Sequence, residues 1–441
     1  MSVKIHAVGG YGEVGRNMTA VTVDGETVIF DMGYHMDNLV TNVDGAKLSA
    51  YSREDMIKLG VVADDNDVDP KKVVAIVPSH AHLDHIGGIP FLEARYTCPI
   101  YCTPYTCEVL KRQFADNSFR KKNRIIKVPY KKLIKLSKSI TLEFVHITHS
   151  IPHSALVVLH TPYGAVCYGN DFKMDQAPVL ESKTDVERLK QIGKNTLVLM
   201  SECLYARKPG HTASESSVKN RLREIMEKHD KNGIFVTTFT SHVARLHTIV
   251  HIAKSMGRRV MFMGRSLEKY SKAAKLAGVS NVIDEVELFP FKNQMRRRLK
   301  NMSEAEKKKY VIIITGHQAE DQAVLNSMVT GKLPNLFSAD DLFVFSCNTI
   351  PTESIIAARK VLEEKLAKYK MNTFLNIHVS GHASQDDLQE LLDALKPKHV
   401  IPSHGDQKMM DAYLLNLAKP NGYELGKTCH FLYDGKSVDL E

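Results

Sequence analysis

Ser79-His80-Ala81-His82-Leu83-Asp84-His85-Ile86-Gly87-Gly88 packs three imidazoles and a carboxylate into six residues, directly behind the apolar run Val73-Val74-Ala75-Ile76-Val77. Such a run reads as a buried β-strand, and a tight turn after it gathers the four side chains at the strand's C-terminal end. Imidazole nitrogen and carboxylate oxygen suit zinc or another first-row divalent ion. No thiolate stands among them, which points to a catalytic rather than a structural site. His80 and His82, one residue apart, can serve one ion while Asp84 and His85 turn toward a second. A histidine-rich surface loop is the plain alternative. The compactness of the cluster, and the close backbone approach that Gly87 and Gly88 permit, argue against it.

Upstream, Gly10-Tyr11-Gly12-Glu13-Val14-Gly15 follows the strand-like stretch 3–8 and has the spacing of a dinucleotide fingerprint. That fingerprint must open a helix. Here it leads instead into two strand-like runs, 19–23 and 27–30, around Asp24-Gly25, the sequence of a type I′ hairpin. The glycines therefore read as a tight turn beside the site, and Asp31, closing the second strand, as a carboxylate placed to orient a ligand imidazole. Residues 35–70 read as a long polar loop with a short helix, and 89–96 as helical. Further strands end in chemistry-bearing residues: 141–145 before His149, the hairpin 155–160 and 165–168 before Asp171, and 196–200 before Glu202. A site on one edge of a β-sandwich is built in this way.

After residue 204 the texture changes. Apolar runs at 234–239, 259–263, 311–315 and 342–346 alternate with helical patterns at 215–229, 242–255, 266–277 and 318–329. Regular alternation implies a parallel α/β sheet and a separate domain. Beyond the helical stretch 353–369 the site chemistry resumes at His378-Val379-Ser380-Gly381-His382-Ala383-Ser384. It continues through the strand 399–401 into His404-Gly405. The expected organisation is thus a first domain over 1–204, an inserted α/β domain over 205–370, and a return segment over 371–441.

Composition sets limits. The chain has 441 residues, 43% hydrophobic and 25% charged, which is ordinary for a globular protein able to bury a large core. No apolar run approaches the roughly 20 residues of a membrane-spanning helix, and the chain opens without a signal-like segment. The seven cysteines (98, 102, 107, 167, 203, 347, 429) are odd in number and form no C-x-x-C pair. They read as thiols of a reducing compartment, hence the cytoplasm, with a zinc cluster at Cys98, Cys102 and Cys107 as the alternative. The net charge is +9, and nine Lys/Arg with no acid lie between Arg120 and Lys138. Arg296-Arg297-Arg298-Leu299-Lys300 is a second cluster. A charge run is commonly a solvated face, but two of them on a metal-site protein favour a polyanionic substrate.

The HxHxDH stretch is the signature of the metallo-β-lactamase superfamily, and the chain resembles its β-CASP branch, within it the ribonuclease J family. The resemblance runs along essentially the whole sequence. It includes Gly9-Gly10-Tyr11-Gly12-Glu13-Val14-Gly15-Arg16-Asn17, Thr148-His149-Ser150-Ile151-Pro152, Thr238-Phe239-Thr240-Ser241, Gly264-Arg265-Ser266 and Thr315-Gly316-His317-Gln318. His378-Val379-Ser380-Gly381-His382 and Pro402-Ser403-His404-Gly405 complete it. The resemblance implies an αββα metallo-β-lactamase sandwich with an inserted β-CASP domain, RNA bound in the cleft between them, and 5′-to-3′ exonuclease action favouring a 5′-monophosphate, with internal cutting in some members. Three departures stand out. His153 replaces the family's usual Asp, Glu202 stands where many members have Asp, and the sequence ends at Glu441 without the C-terminal domain of bacterial members, as in short archaeal relatives. A homodimer relying on that domain is not expected, although a homodimer of another kind stays open.

On this reading one divalent ion, zinc with manganese or magnesium as alternatives, sits on His80, His82 and His149. The second sits on Asp84, His85 and His404, and Asp171 bridges. His382 is the general acid, with Glu202 holding it. Its plain alternative is phosphate binding alone. His378, Val379, Ser380, Gly381 and Ser384 with His382 form a phosphate grip, joined by Ser241, Arg265 and Ser266, for which simple helix capping is the alternative. The remaining histidines (146, 160, 211, 229, 247, 251) read as structural or solvent-exposed. Two rivals share these features: an endonuclease of the polyadenylation-factor type, or a DNA-processing relative, and a non-catalytic RNA-binding scaffold.

Overall fold

The computed structural model describes residues 2–43, 48–350 and 352–440. Two compact units emerge. One comprises the chain up to Gln176, Ser182–Thr212 and the chain from Ser380; the other comprises Ala177–Glu181 and Ala213–Val379. These limits fall later than the sequence-based ones at 204 and 370. Thr212 is tied back into the first unit, its N–H donating to Asp387 (2.8 Å) and its hydroxyl to the His382 carbonyl (2.7 Å). In the second unit the Ile377 carbonyl accepts from the buried Arg245 guanidinium at 3.0 Å.

Among the described residues the first unit has the expected αββα layering. One sheet runs in the order Lys436–Leu440, Val3–Gly9, Met18–Val23, Glu26–Phe30, Val73–Val77, Ile100–Cys102, Ile125–Lys127. The other runs His399–Ser403, Thr196–Glu202, Gly164–Gly169, Ala155–Thr161, Thr141–His146, Ile134–Lys135. The hairpin after Val23 has Asp24 at φ 49° and Gly25 at φ 87°, the two left-handed residues of a type I′ turn. Val28, Phe30, Ala75 and Val77 face Phe144, Val157, Tyr168 and Met200 between the sheets, and the Phe30 and Tyr168 rings stack at 5.1 Å. On the outer face of the second sheet, Leu156, Val158, Cys167 and Leu199 pack beneath Leu189, Leu388, Leu391 and Met410 of the covering helices. Each such burial is worth about 1.5–3 kcal/mol.

Strand direction positions the site. Glu26–Phe30 pairs parallel with Val73–Val77, and Thr196–Glu202 lies parallel between Gly164–Gly169 and His399–Ser403. The residues that follow these strands, Asp31, His80 to His85, Asp171 and His404, therefore leave at the carboxyl edge of their sheets.

Several local expectations needed revision. The stretch 35–70 contains two helices, Met36–Asn42 and Arg53–Lys58, the latter started by a Ser52–Asp55 capping box. Residues 44–47 of that stretch lie outside the described residues. The 89–96 helix is a short α-helix, Ile89–Leu92, that tightens to a 3₁₀ turn over Glu93–Arg95. A 13-residue helix, Pro104–Asp116, was not anticipated. All nine cations between Arg120 and Lys138 are exposed. The seven cysteines are free and buried, and none joins a candidate metal cluster among the described residues.

The second unit is built on a parallel sheet in the order Glu287–Phe289, Arg259–Met263, Tyr310–Ile314, Ile234–Thr238, Leu342–Ser346, Asn372–Phe374. Its strands are apolar on both faces, as sheets covered by helices on two sides must be. Ile234 and Val236 enter one core while Phe235 enters the other. Helices Glu215–Lys228, Val243–Ser255 and Arg265–Leu276 lie close to their expected limits. The helix expected over 318–329 is only Val324–Val329. Before it the chain is held open because the Gln318 side chain donates to the Asn348 carbonyl and accepts from Ile350 N–H. Among the described residues no helix is long and apolar enough to cross a membrane.

Candidate metal centre

Two donor groups share one carboxylate. His80, His82, His149 and Asp171 form the first, and Asp84, His85, Asp171 and His404 the second; within each, one ligand atom per residue lies within 4.8 Å of all the others. The first group comes from the turn after Val77, the loop after His146 and the turn after Gly169. In the second group, Asp84 and His85 belong to the short helix Leu83–Ile86, whose N-cap is His82. Asp31, Asp171 and His404 all adopt left-handed backbone, at φ 55°, 57° and 51°. Such conformations cost on the order of 1–3 kcal/mol each and persist where surrounding structure over-determines them.

His85, His149 and His404 are aimed from behind by groups outside the donor sets. His85 Nδ1 donates to Asp31 Oδ2 at 2.7 Å, and Asp31 in turn accepts from Ser79 N–H and hydroxyl. His149 Nδ1 donates to the Gly381 carbonyl at 2.8 Å. A Cβ on Gly381 would meet the His149 ring at 2.7 Å, so a side chain there is excluded. His404 Nδ1 lies 3.0 Å from Asn17 Oδ1. The glycine turn therefore reaches the site, as Gly15 N–H points at His404 from 3.4 Å and Tyr11–Gly12 pairs with Gly405–Asp406.

The residues fit divalent ions. His80 Nε2 and His149 Nε2 each lie 3.1 Å from His82 Nδ1, close to the roughly 3.3 Å edge of a tetrahedron with bonds of about 2.0–2.1 Å. Asp171 Oδ2 is 3.5 Å from His80 Nε2 and 3.2 Å from His85 Nε2, while Oδ1 is 3.6 Å from His404 Nε2. Oδ1 is buried with no hydrogen-bond partner among the described residues, a costly arrangement for a carboxylate oxygen unless a cation answers it. Burial, with the neighbouring imidazoles, holds His149 well below its ordinary pKa and His82 down to about 3. Both are thus in the neutral, ligating form. His85 behaves oppositely. Burial opposes its charge, but Asp171, Asp84 and Asp31 lift its pKa well above the usual value.

His382 stands beside both groups, its Nε2 3.9 Å from Asp171 Oδ2 and its ring stacked on that of His404 at 5.7 Å. Its Nδ1 lies 2.9 Å from Glu202 Oε2. Glu202 is fully buried, and its other oxygen accepts from Phe172 N–H and Ala383 N–H, so the replacement of Asp by Glu leaves the carboxylate fully engaged. Burial lowers the basicity of His382, yet Glu202 and Asp171 outweigh it and raise its pKa to about 9. His153, the other departure, accepts from Tyr105 N–H at 3.1 Å, and burial lowers it to about 4.

The anticipated phosphate residues separate. Ser380 accepts from His382 N–H through its hydroxyl at 3.1 Å and remains half-exposed. Ser384 does not fit that role. It is fully buried, bonded to Thr212 and Asp387 at the N-cap of helix Gln385–Leu395, so its hydroxyl serves the fold. Ser241, Arg265, Ser266, His378 and Val379 belong to the second unit. There Ser241, Arg265 and Ser266 follow two strands at the carboxyl edge of the parallel sheet, the usual ligand edge of α/β folds. Arg265 is exposed and Ser266 half-buried on the first turn of its helix, and Gly264, not a side chain, occupies the N-cap. The His378 ring lies 5.7 Å from Phe239.

The signature described as "Ribonuclease J, beta-CASP domain" matches residues 231–363, that of the "Metallo-beta-lactamase superfamily" matches 11–173, and that of a "Zn-dependent metallo-hydrolase RNA specificity domain" matches 368–424. Ribonuclease J of Methanocaldococcus jannaschii is 41% identical over 447 aligned residues, covering 100% of this chain and 99% of that protein. The chain belongs to the ribonuclease J family. The Pyrococcus abyssi ribonuclease J is 39% identical, with 99% and 97% covered, and the Bacillus subtilis ribonuclease J2 is 28% identical, with 93% and 71% covered. A solved Enterococcus faecalis protein of unknown function shares the fold over 100% of both chains, at a TM-score of 0.70 and 17% identity. Residue-type reasoning passed over Asn17 against His404, Ser79 against His80 and Ser150 against His149, as well as Asn170 behind Asn17. The glycine-turn motif that carries Asn17 was the one available signal.

Proposed function

We propose that the chain, a metal-dependent ribonuclease of the ribonuclease J type, removes nucleotides one by one from the 5′ end of single-stranded RNA and prefers a 5′-monophosphate. His80, His82 and His149 would hold one divalent ion, Asp84, His85 and His404 the other, and Asp171 both. The observation that carries this reading is Asp171, whose buried Oδ2 lies between His80 of one donor group and His85 of the other while its unpartnered Oδ1 faces His404. A donor set of five imidazoles and two carboxylates favours zinc over magnesium, with manganese between. When bound, the ions activate a water and clamp the attacking and leaving oxygens of an in-line displacement.

The rest falls to the chain's own residues. Glu202 accepts the Nδ1–H of His382, which leaves Nε2 to carry a proton to the departing 3′ oxygen. With Asp171 committed to the ions, Glu202 would be the group that keeps His382 protonated near neutral pH. Ser380, accepting from His382 N–H, keeps its own hydroxyl proton for a terminal phosphate. The exposed cations between Arg120 and Lys138 suit a polyanion. Seven free thiols agree with a cytoplasmic setting.

One RNA labelled separately at each end, prepared with a 5′-monophosphate, triphosphate or hydroxyl, tests the reading. Mononucleotides should appear first from the 5′ end, fastest for the monophosphate. Ser380→Ala should blunt that preference, and His382→Ala should slow cleavage about 10²–10⁴-fold. Internal fragments at the earliest times, products starting at the 3′ end, or equal rates for all three ends would overturn it.

A further inference from the structure

The partners behind the donor imidazoles differ in kind, and Asn17 is the unusual one. Its Oδ1 lies 3.0 Å from His404 Nδ1, its Nδ2 donates to the Asp84 carbonyl at 3.1 Å, and the same Nδ2 lies 3.2 Å from His85 Nε2. Asn17 is 1% exposed. Because the Asp84 carbonyl can only accept, Nδ2 must face it and Oδ1 must face His404, which fixes the orientation of the amide. Asn170 supports the assignment: its Nδ2 approaches Asn17 Oδ1 at 3.4 Å while its own oxygen accepts from the Ser403 hydroxyl at 2.6 Å. An acceptor 3.0 Å away requires a proton on His404 Nδ1. Gly15 N–H competes for that nitrogen only from 3.4 Å. Nε2 of His404 is then the free lone pair, and it is the atom that faces Asp84 Oδ2 at 3.9 Å and Asp171 Oδ1 at 3.6 Å.

We propose that Asn17 is a positioning residue that sets the affinity of the second donor group for its ion, by fixing the tautomer of His404 through an amide whose own orientation the Asp84 carbonyl fixes. The proposal rests on the two-ion reading above. The Asn17 side chain reaches three members of the second group, His404 through Oδ1 and Asp84 and His85 through Nδ2, and because the Asn17 backbone N–H also donates to the Asp84 carbonyl at 3.1 Å, loss of the side chain falls chiefly on His404. Among the described residues the first group shows no contact of this kind. Its His80 and His149 are held by Ser79 and by the Gly381 carbonyl. Removing a residue behind a metal ligand characteristically weakens binding about 10–100-fold, and here the loss should fall on one ion of the two.

The test counts zinc retained by the full chain during titration with a competing chelator. Wild type should hold two ions, and Asn17→Ala should release one of them at about 10–100-fold lower chelator concentration while the other is unmoved. Asn17→Asp keeps an acceptor for His404 Nδ1 but loses the donor to the Asp84 carbonyl, so its release should fall between wild type and Asn17→Ala. Melting of the metal-free proteins controls for folding, and the Asn17→Ala value should match wild type. Unchanged retention in Asn17→Ala, loss of both ions together, Asn17→Asp releasing the ion as readily as Asn17→Ala, or a lowered metal-free melting point would overturn the role of Asn17. A single ion in wild type would overturn the two-ion reading itself, and this proposal with it.

Discussion

The two donor groups around Asp171 are built from similar side chains but answer different electrostatic problems. His80, His82 and His149 crowd together, and burial keeps them neutral. Behind them stand neutral groups, the Ser79 hydroxyl and the Gly381 carbonyl. Asp84, His85 and His404 instead carry a carboxylate within the group and a second, Asp31, behind it, so that His85 is driven toward its charged form. One site is prepared by keeping protons out, the other by surrounding a histidine with negative charge that a cation can claim. The comparison teaches that an ion's compensation here comes as much from residues one step removed as from the donors themselves.

The change with the largest expected effect breaks the comparison by removing what the groups have in common. Asp171→Ala deprives both of their shared carboxylate, and RNA cleavage should fall by more than the roughly 10²–10³-fold typical of losing one electrostatic contact in an active site. Metal content by atomic spectroscopy should fall in both sites. Retention of two ions with near-normal cleavage would remove Asp171 from the centre. A smaller effect sharpens the contrast. Asp31→Asn gives His85 an amide behind it, as His404 already has, and chelator competition should show the second ion bound about 10–100-fold more weakly. An unchanged midpoint would show that the buried carboxylate does not tune the site.

The smallest effect serves as the control, because acid can empty the centre or unfold the sandwich, and the two must be told apart. Glu143 lies outside both groups, buried, and its carboxylate meets Arg188 and His160. Burial alone would raise its pKa, but His160 and Arg188 bring it from 4.5 down to about 2. A folded-state value below the unfolded one means stabilisation that is complete above about pH 4.5 and fades as pH falls toward 2. Glu143→Gln should therefore lower the melting temperature at pH 6 by about 1–2 °C for each kcal/mol lost. The gap to wild type should close near pH 2. A gap that persists at pH 2 would assign the loss to packing instead.

Much of the fold and part of the site were legible because their signals are local. The ligand turn sits behind a five-residue apolar strand, and the Asp24–Gly25 hairpin is written in two residues. Alternation in the second unit revealed its parallel sheet. Helix Pro104–Asp116 was missed although Tyr105, Val109, Leu110 and Phe114 make a buried stripe; the basic run after it drew attention from its periodicity. Ser384 carried its own correction, since Asp387 three residues later completes a capping box. Asn17 had no such marker. Its partners Asp84, Asn170 and His404 lie 67, 153 and 387 residues away, and only the folded sheets bring an amide to them.

The order of strands has a consequence for how the centre comes into being. His80, His82, His149 and Asp171 are all made within the first 171 residues, whereas His404 arrives on strand His399–Ser403, which slots beside Thr196–Glu202. Between Asp171 and His404 the ribosome must add the whole second unit. At about 5–20 residues per second that interval is roughly 10–50 s. The outermost strand of the first sheet is later still, since Val3–Gly9, among the first residues translated, waits for Lys436–Leu440 at its free edge. The ligands of the first donor group are thus translated well before His404, but the Gly381 carbonyl that aims His149 arrives only with the late segment, so both groups are completed after the second unit.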